Sequence, residues 1–202
     1  GLLADISLRL PWGVQTGVAA LAIPMALTLV EPKMHSLNQR AFNLKSIWNI
    51  LKFCILENKL LKWLIIFSSI TGLATLSLAW FAQPYFKSIN MPIAYFGFVW
   101  AILNLSTGFA SFYAHYFEKK WSNNQLLLFI CLGISLPIIF IVFASPIVGL
   151  CLILMVFSIR GIATPTLRQF INELTPSDVR ATVLSIRSFT IRLCFSIVAP
   201  FL

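Results

Sequence analysis

The sequence predicts an all-α membrane protein, and three observations carry that prediction. Of 202 residues, 59% are hydrophobic and 10% charged, where an average soluble domain carries about a quarter charged residues. The mean hydropathy is +0.89. Six apolar windows lie near residues 12–30, 62–84, 92–114, 125–144, 147–168 and 181–202, each close to the roughly 20 residues that cross a hydrocarbon core of about 30 Å. A helix satisfies its backbone hydrogen bonds within one such segment, which lipid requires.

The chain begins "GLLA" before Asp5, too short to span, and closes at Leu202 with no polar tail. No basic n-region or cleavage site marks a signal peptide, and a fragment of a longer protein is expected. The first window follows at 12–30. Residues 31–60 then form the one long connection, opening on the polar, turn-rich linker "EPKMHSLNQR". Beyond it Leu44, Ile47, Trp48, Leu51, Cys54 and Ile55 share one helical face, with Lys45, Asn49, Lys52 and Lys59 on the other. This pattern fits an amphipathic helix lying on the lipid surface; the ordinary alternative is a linker helix packed on protein. The third window starts at Pro92, well placed for a first helical turn. Trp80, Trp100 and Trp121 stand in or near span ends, where indole rings favour the interface. In the fifth window Pro165 removes the hydrogen bond to the Gly161 carbonyl, so a bend is expected. The last helix is expected to start sharply, with Thr175 as N-cap, Pro176 first in the helix and Asp178 third, a capping pattern.

Orientation follows from the cations in alternate connections. Lys33, Arg40, Lys45, Lys52, Lys59, Lys119, Lys120, Arg168 and Arg180 fall on one side, against Arg9 and Lys87 on the other. The richer set, with residues 31–60, is therefore expected in the cytoplasm. Topology and lipid account for the net charge of +9, because no basic, aromatic-interleaved soluble module is present for nucleic acid. Cys54, Cys131, Cys151 and Cys194 stand singly among apolar residues, with neither disulfide nor metal spacing. No metal site and no cofactor are expected.

Polar residues within the spans are the candidate functional groups. Ser185, Ser188, Arg192 and Ser196 share one arc of the last helix at 100° per residue, with Arg187 opposite. Measured from a cap at Thr175, a rise of about 1.5 Å per residue puts Arg187 roughly 18 Å and Arg192 roughly 25 Å along. Arg187 is within snorkelling reach of the headgroups and Arg192 is not. A charge this deep faces a bundle interior, water or a partner, yet Asp5, Glu31, Glu57, Glu118, Glu173 and Asp178 all lie at span ends or in connections. Arg160, Thr164 and Arg168 line one side of the fifth window, and bent helices beside polar groups are where transporters place binding sites. Two further stripes run through Gly97, Ala101, Asn104, Gly108, Ser111 and His115, and through Ser68, Gly72, Thr75, Ala79 and Gln83. Close helix packing explains such stripes; a cavity lining is the competing reading, best supported at Asn104 and Gln83.

The segment "RGIATPTLRQFINELTPSDVRATVLSIRS" resembles the tenth helix, short cytoplasmic loop and eleventh helix of the major facilitator superfamily, in particular bacterial drug-exporter-like members. The resemblance rests on Asn172, Pro176, Arg180, Ala181, Thr182, Val183, Leu184 and Ser185. "GLLADISLRLPW" is similar to the end of the family's fifth helix, and the segment ending "VEPK" to its sixth. The resemblance implies a partial major-facilitator-type helix bundle with about six of an expected twelve helices. Residues 1–30 would be the end of an N-terminal bundle, 31–60 the cytoplasmic inter-bundle linker, and 61–202 helices seven to eleven of a C-terminal bundle whose last helix is missing. The remainder of the N-terminal bundle becomes an expected partner. The loop "HYFEKKWSNN" departs from the family's D-x-x-G-R-type motif, having neither its Asp nor its Gly, so no gating role passes to Lys119 and Lys120.

The resemblance also implies a secondary transporter in the bacterial inner membrane that moves a small solute by alternating access, with proton-coupled efflux as the finer expectation. Arg192, Arg160, Asn104, Gln83 and Ser188 are the candidates to line the cavity or bind the solute. Pro165, Asn172, Pro176 and Arg180 are candidates for structural or gating roles. Two other classes stay open. An integral membrane transferase needs a nucleophile or general base, but the histidines are only His35 and His115 and no Ser/His/Asp grouping occurs. A non-transporting membrane protein, or an inactive fragment of a transporter gene, has no sequence feature against it.

Overall fold

The computed structural model describes residues 7, 9–28, 50, 52, 58–177 and 179–201. Seven α-helices follow one another among them: α1 (Leu10–Ala20), α2 (Ala22–Leu27), α3 (Lys59–Ser88), α4 (Ile93–Lys120), α5 (Asn123–Ile141), α6 (Pro146–Glu173) and α7 (Arg180–Val198), with a short 3₁₀ turn at Ala199–Phe201. No strand occurs among the described residues. Six helical stretches are long and apolar enough to cross a membrane, α1 and α2 counting as one across Leu21. The fold class is the expected one, a membrane helix bundle.

Several helices are longer than hydropathy alone outlines. α3, α4 and α6 run 30, 28 and 28 residues, because polar ends such as "FEKK" and "LRQFINE" continue the helix after the apolar run stops. Capping fixes other boundaries. Asn58 Oδ1 accepts from the Leu61 amide at the start of α3, and Ser122 with Gln125 forms a capping box at the start of α5. That S-x-x-Q signal is present in the sequence and is absent from the expectations above. Pro165 lies inside α6 without ending it.

The start of α7 corrects the expected cap. Thr175 does not open this helix: its hydroxyl donates to the Ile171 carbonyl at 2.6 Å and closes α6. The N-cap of α7 is Val179, which offers no side-chain bond. An N-cap serves the amides two and three residues on, and for Thr175 these lie in the turn, before α7 begins at Arg180. Arg187 and Arg192 consequently stand about 10 Å and about 18 Å along α7, shallower than expected. Asp178 lies outside the described residues. So does the surface helix expected within 31–60, apart from Ile50, half-buried against the packed core, exposed Lys52, and Lys59, which the structure places at the start of α3.

α6 is the central helix. It packs against α4 and α5 and touches α3, while α7 leans on α3 and meets α6 only slightly. Short connections make neighbours antiparallel. One apolar cluster joins Leu61, Leu126, Ile130, Leu167, Ile171 and Val183 near the starts of α3, α5 and α7 and the end of α6. A second joins Ala82, Phe86, Leu103, Ile153 and Phe157 toward the other end. Lipid chains are as apolar as these side chains, so the helices cohere by close fit rather than by escape from water. Gly161 is where one helix meets another's main chain, since a Cβ there would collide with the Thr107 carbonyl of α4. Thr107 Oγ1 fastens the same crossing, donating within 2.9 Å of the Leu103 carbonyl and 3.0 Å of the Phe157 carbonyl.

The two small-residue stripes separate here. Ser68, Gly72, Thr75 and Ala79 are buried or half-buried, and Gly72 meets Ile191 of α7. The stripe Gly97, Ala101, Asn104, Gly108, Ser111 and His115 is exposed throughout. Trp100 is not a headgroup anchor, since its ring stands edge-on to Phe157 at 5.8 Å. α1 and α2 contain no buried residue.

Candidate functional site

Two open clefts flank the outer face of α6. The first, about 490 Å³, lies between α6 and α7 and is lined by Arg168, Ser185, Arg187, Ser188 and Arg192 together with the apolar Leu184 and Phe189. The second, about 380 Å³, lies between α4 and α6, where Arg160, Thr164, Pro165 and Arg168 face Gly108 and Ser111. Arg168 belongs to both, so the clefts form one basic, hydroxyl-bearing wall across three helices.

Each guanidinium is placed by a different local cause. Arg160 is half-buried, its guanidinium carbon 5.7 Å from the Phe157 ring centre, where the ring face attracts a cation. Arg187 is 7% exposed, and its Nε–H donates to Ser68 Oγ of α3. Ser68 is itself fully buried. Since α7 contacts mainly α3, this bond is part of what seats α7 on the bundle. Arg168 and Arg192 are exposed on the cleft wall.

Helix rise sets the depths. α6 and α7 are joined by a short turn, so distances count from one side of the bundle: Arg168 and Arg187 are about 8 and 10 Å from their helix ends, Arg192 and Arg160 about 18 and 20 Å. The four arginines therefore spring from the backbone at two levels, the deeper about 18–20 Å from the helix ends, against a hydrocarbon core about 30 Å thick.

No carboxyl group of the described residues faces them. The described acids are Glu118 and Glu173. Glu118 Oε1 accepts from the Thr166 hydroxyl at 2.8 Å, and His115 Nδ1 stands 3.6 Å from its other oxygen. Glu173 accepts from Gln169 on its own helix at 3.1 Å. Among the described residues His115–Glu118 is the only ion-pair geometry, and no group of three or more His, Cys, Asp or Glu gathers into a metal site.

The expected site residues thus fall into distinct places. Arg192 and Ser188 line the α6/α7 cleft, and Arg160 lines the α4/α6 cleft. Asn104 lies on the exposed stripe of α4, with its side-chain amide donating to the Trp100 carbonyl at 2.8 Å. Gln83 is exposed on α3 and lines neither cleft. Of the structural candidates, Arg180 ties the α6–α7 turn together through its Nε–H to the Thr175 carbonyl at 3.0 Å. Asn172 Oδ1 is buried and has no partner among the described residues, while Pro176 is exposed in the turn. Arg187, which the helical wheel sets opposite Arg192, is the cleft residue that the sequence did not indicate, whereas Arg168 lies on the side of α6 already singled out with Arg160 and Thr164.

A family model described as Major Facilitator Superfamily matches residues 1–200. No curated protein and no solved structure matches the chain.

Proposed function

The chain belongs to the Major Facilitator Superfamily, a family of secondary transporters of small solutes rather than of enzymes, and on that premise we propose that the α6/α7 and α4/α6 clefts are the solute-facing wall of its pathway. The observation that carries this reading is Arg192, exposed about 18 Å along a bilayer-spanning helix with no carboxyl group beside it among the described residues. Facing acyl chains, such a charge costs from about 2.5 to over 10 kcal/mol. Facing a wet gap between two helix bundles, it keeps its hydration. Arg160 and Ser188 share that wall, and Asn104 extends it along the exposed stripe of α4; Gln83 lies outside it. A second bundle opposite these faces, rocking against the five long helices, supplies alternating access.

The finer reading is proton-coupled efflux across a bacterial inner membrane, with residues 31–60 in the cytoplasm. It is supported by the exporter-like "RATVLS" segment and by the imbalance of cations between alternate connections and helix ends, eight against two once Arg168 is placed inside α6. Efflux driven by an imposed pH gradient in proteoliposomes tests the coupling.

Alternating access has its own test. With Ser188→Cys in the full-length protein, an impermeant maleimide applied to right-side-out and to inside-out vesicles should label position 188 from both sides. Labelling from one side only, under every condition, refutes the transporter cycle at this wall.

A further inference from the structure

We propose that the α6/α7 cleft selects a small organic anion with at least two negative charges, the chemistry of a phosphate monoester or a dicarboxylate. This rests on the reading of the cleft as part of a solute pathway and adds the substrate class.

Charge is the first support. Arg168, Arg187 and Arg192 line one concavity of about 490 Å³, a size suited to a small organic molecule. None of the three makes an ion pair among the described residues. A cationic solute there meets like charge on every side, and a singly charged anion leaves most of the positive charge uncompensated. Two or more negative charges match the wall best.

Geometry is the second. Arg187 is 7% exposed, and its one hydrogen bond among the described residues goes from Nε to Ser68. Its terminal nitrogens are left for the cleft that it lines. Held by Ser68 and the packing of α3 against α7, this guanidinium is preorganised, and a planar fork of donors suits carboxylate and phosphate oxygens. Ser185 and Ser188 add hydroxyl donors, while Leu184 and Phe189 give the organic part an apolar surface. Arg168 and Arg187 lie at the shallow level, and Arg192 about 8 Å deeper. The anion is therefore met by two guanidinium groups near the mouth and drawn inward by a third.

The test is binding by the full-length protein in nanodiscs of phosphatidylcholine alone, with citrate and glycerol 3-phosphate as anionic probes, glycerol as the neutral control and tetraphenylphosphonium as the cationic control. Both anions should bind by calorimetry and raise the melting temperature, and neither control should. Arg192→Gln should weaken anion binding about ten- to hundredfold, the range for losing hydrogen bonds to a charged group. Arg192→Lys, which keeps the charge without the fork, should fall between. If the glutamine variant does not fold, Ser188→Trp, which fills an exposed part of the same wall, should abolish binding instead.

The proposal is overturned if neither anion binds, or if binding survives both Arg168→Gln and Arg192→Gln. It is also overturned if only phosphatidylglycerol in the nanodisc raises the melting temperature, since the cleft then holds a lipid headgroup. Two-sided labelling at position 188 without anion binding removes the anion and leaves the transporter standing. Anion binding with one-sided labelling does the reverse.

Discussion

Gly161 and Gly72 both occupy helix crossings, but a methyl group would meet different kinds of atoms at each. At Gly161 it would strike the main-chain carbonyl of Thr107, with Ala110 Cβ at 3.0 Å. That carbonyl yields only if α4 and α6 move apart. At Gly72 the nearest atoms all belong to the Ile191 side chain, led by Cδ1 at 2.5 Å, and a flexible tip can shift for about 0.5–1.5 kcal/mol. Alanine returns up to about 1 kcal/mol of helix propensity at either position. Gly72→Ala should therefore be nearly neutral. Overpacking costs about 1–3 kcal/mol, which leaves Gly161→Ala destabilised by up to about 2 kcal/mol after the propensity gain. At about 2–4 °C per kcal/mol for a chain of this size, the two variants should melt several degrees apart in mild detergent, followed by tryptophan fluorescence. A second step separates backbone from side chain. Ile191→Val should improve Gly72→Ala, whereas Thr107→Ala should do nothing for Gly161→Ala, because the obstructing atom belongs to the main chain. Equal melting of the two alanine variants, or rescue of Gly161→Ala by truncation at Thr107, refutes the reasoning.

Three more outcomes follow from contacts between helices. Ser68→Ala strips the buried Arg187 guanidinium of its α3 partner and should cost about 1.5–3 kcal/mol in thermal stability; adding Arg187→Met should recover most of that loss, because no buried charge then remains unpaired. Thr166→Val removes the hydroxyl that donates to Glu118 across the α4/α6 crossing and should lower the melting temperature, while Glu118→Gln, which keeps an acceptor, should change it little. Thr175→Val should speed hydrogen exchange at the end of α6 but leave the amide of Ser177 unaffected; faster exchange there would restore Thr175 as an N-cap.

The spans were legible because lipid leaves few alternatives for about 20 apolar residues. Their ends were less so. Hydropathy registers the apolar part of a helix, yet Glu118 and Lys119 in α4, or Arg168 and Gln169 in α6, continue the same backbone hydrogen bonding beyond it. The turn at 174–179 misled for a different reason. Thr-Pro followed by an acid has the composition of a helix start, and nothing local reveals that Thr175 Oγ1 donates backward to Ile171. Which small-residue stripe would be buried was equally hidden: α3 and α4 carry similar patterns, and only the position of α7 decides that Gly72 is covered and Gly108 is not.

The arginines show where helical-wheel reasoning stops. A wheel assigns Cα directions, and on it Arg187 lies opposite Ser185, Ser188 and Arg192. A long flexible side chain does not end where its Cα points, and Arg187 lines the same cleft as those residues. The asymmetry between Arg187 and Arg192 then has a physical basis. Arg187 is about 10 Å along α7 and next to α3, so burial against the Ser68 hydroxyl replaces part of its hydration while the cleft remains open to it. Arg192 is about 8 Å deeper, no hydrogen bond of its side chain is formed among the described residues, and it stays exposed. The first arginine joins two helices whether or not solute is present. The second, lacking such a role in the bundle, is the one whose charge is left for something that enters the cleft, and for that reason substitution at Arg192 should alter binding before it alters folding, with Arg187 showing the opposite order.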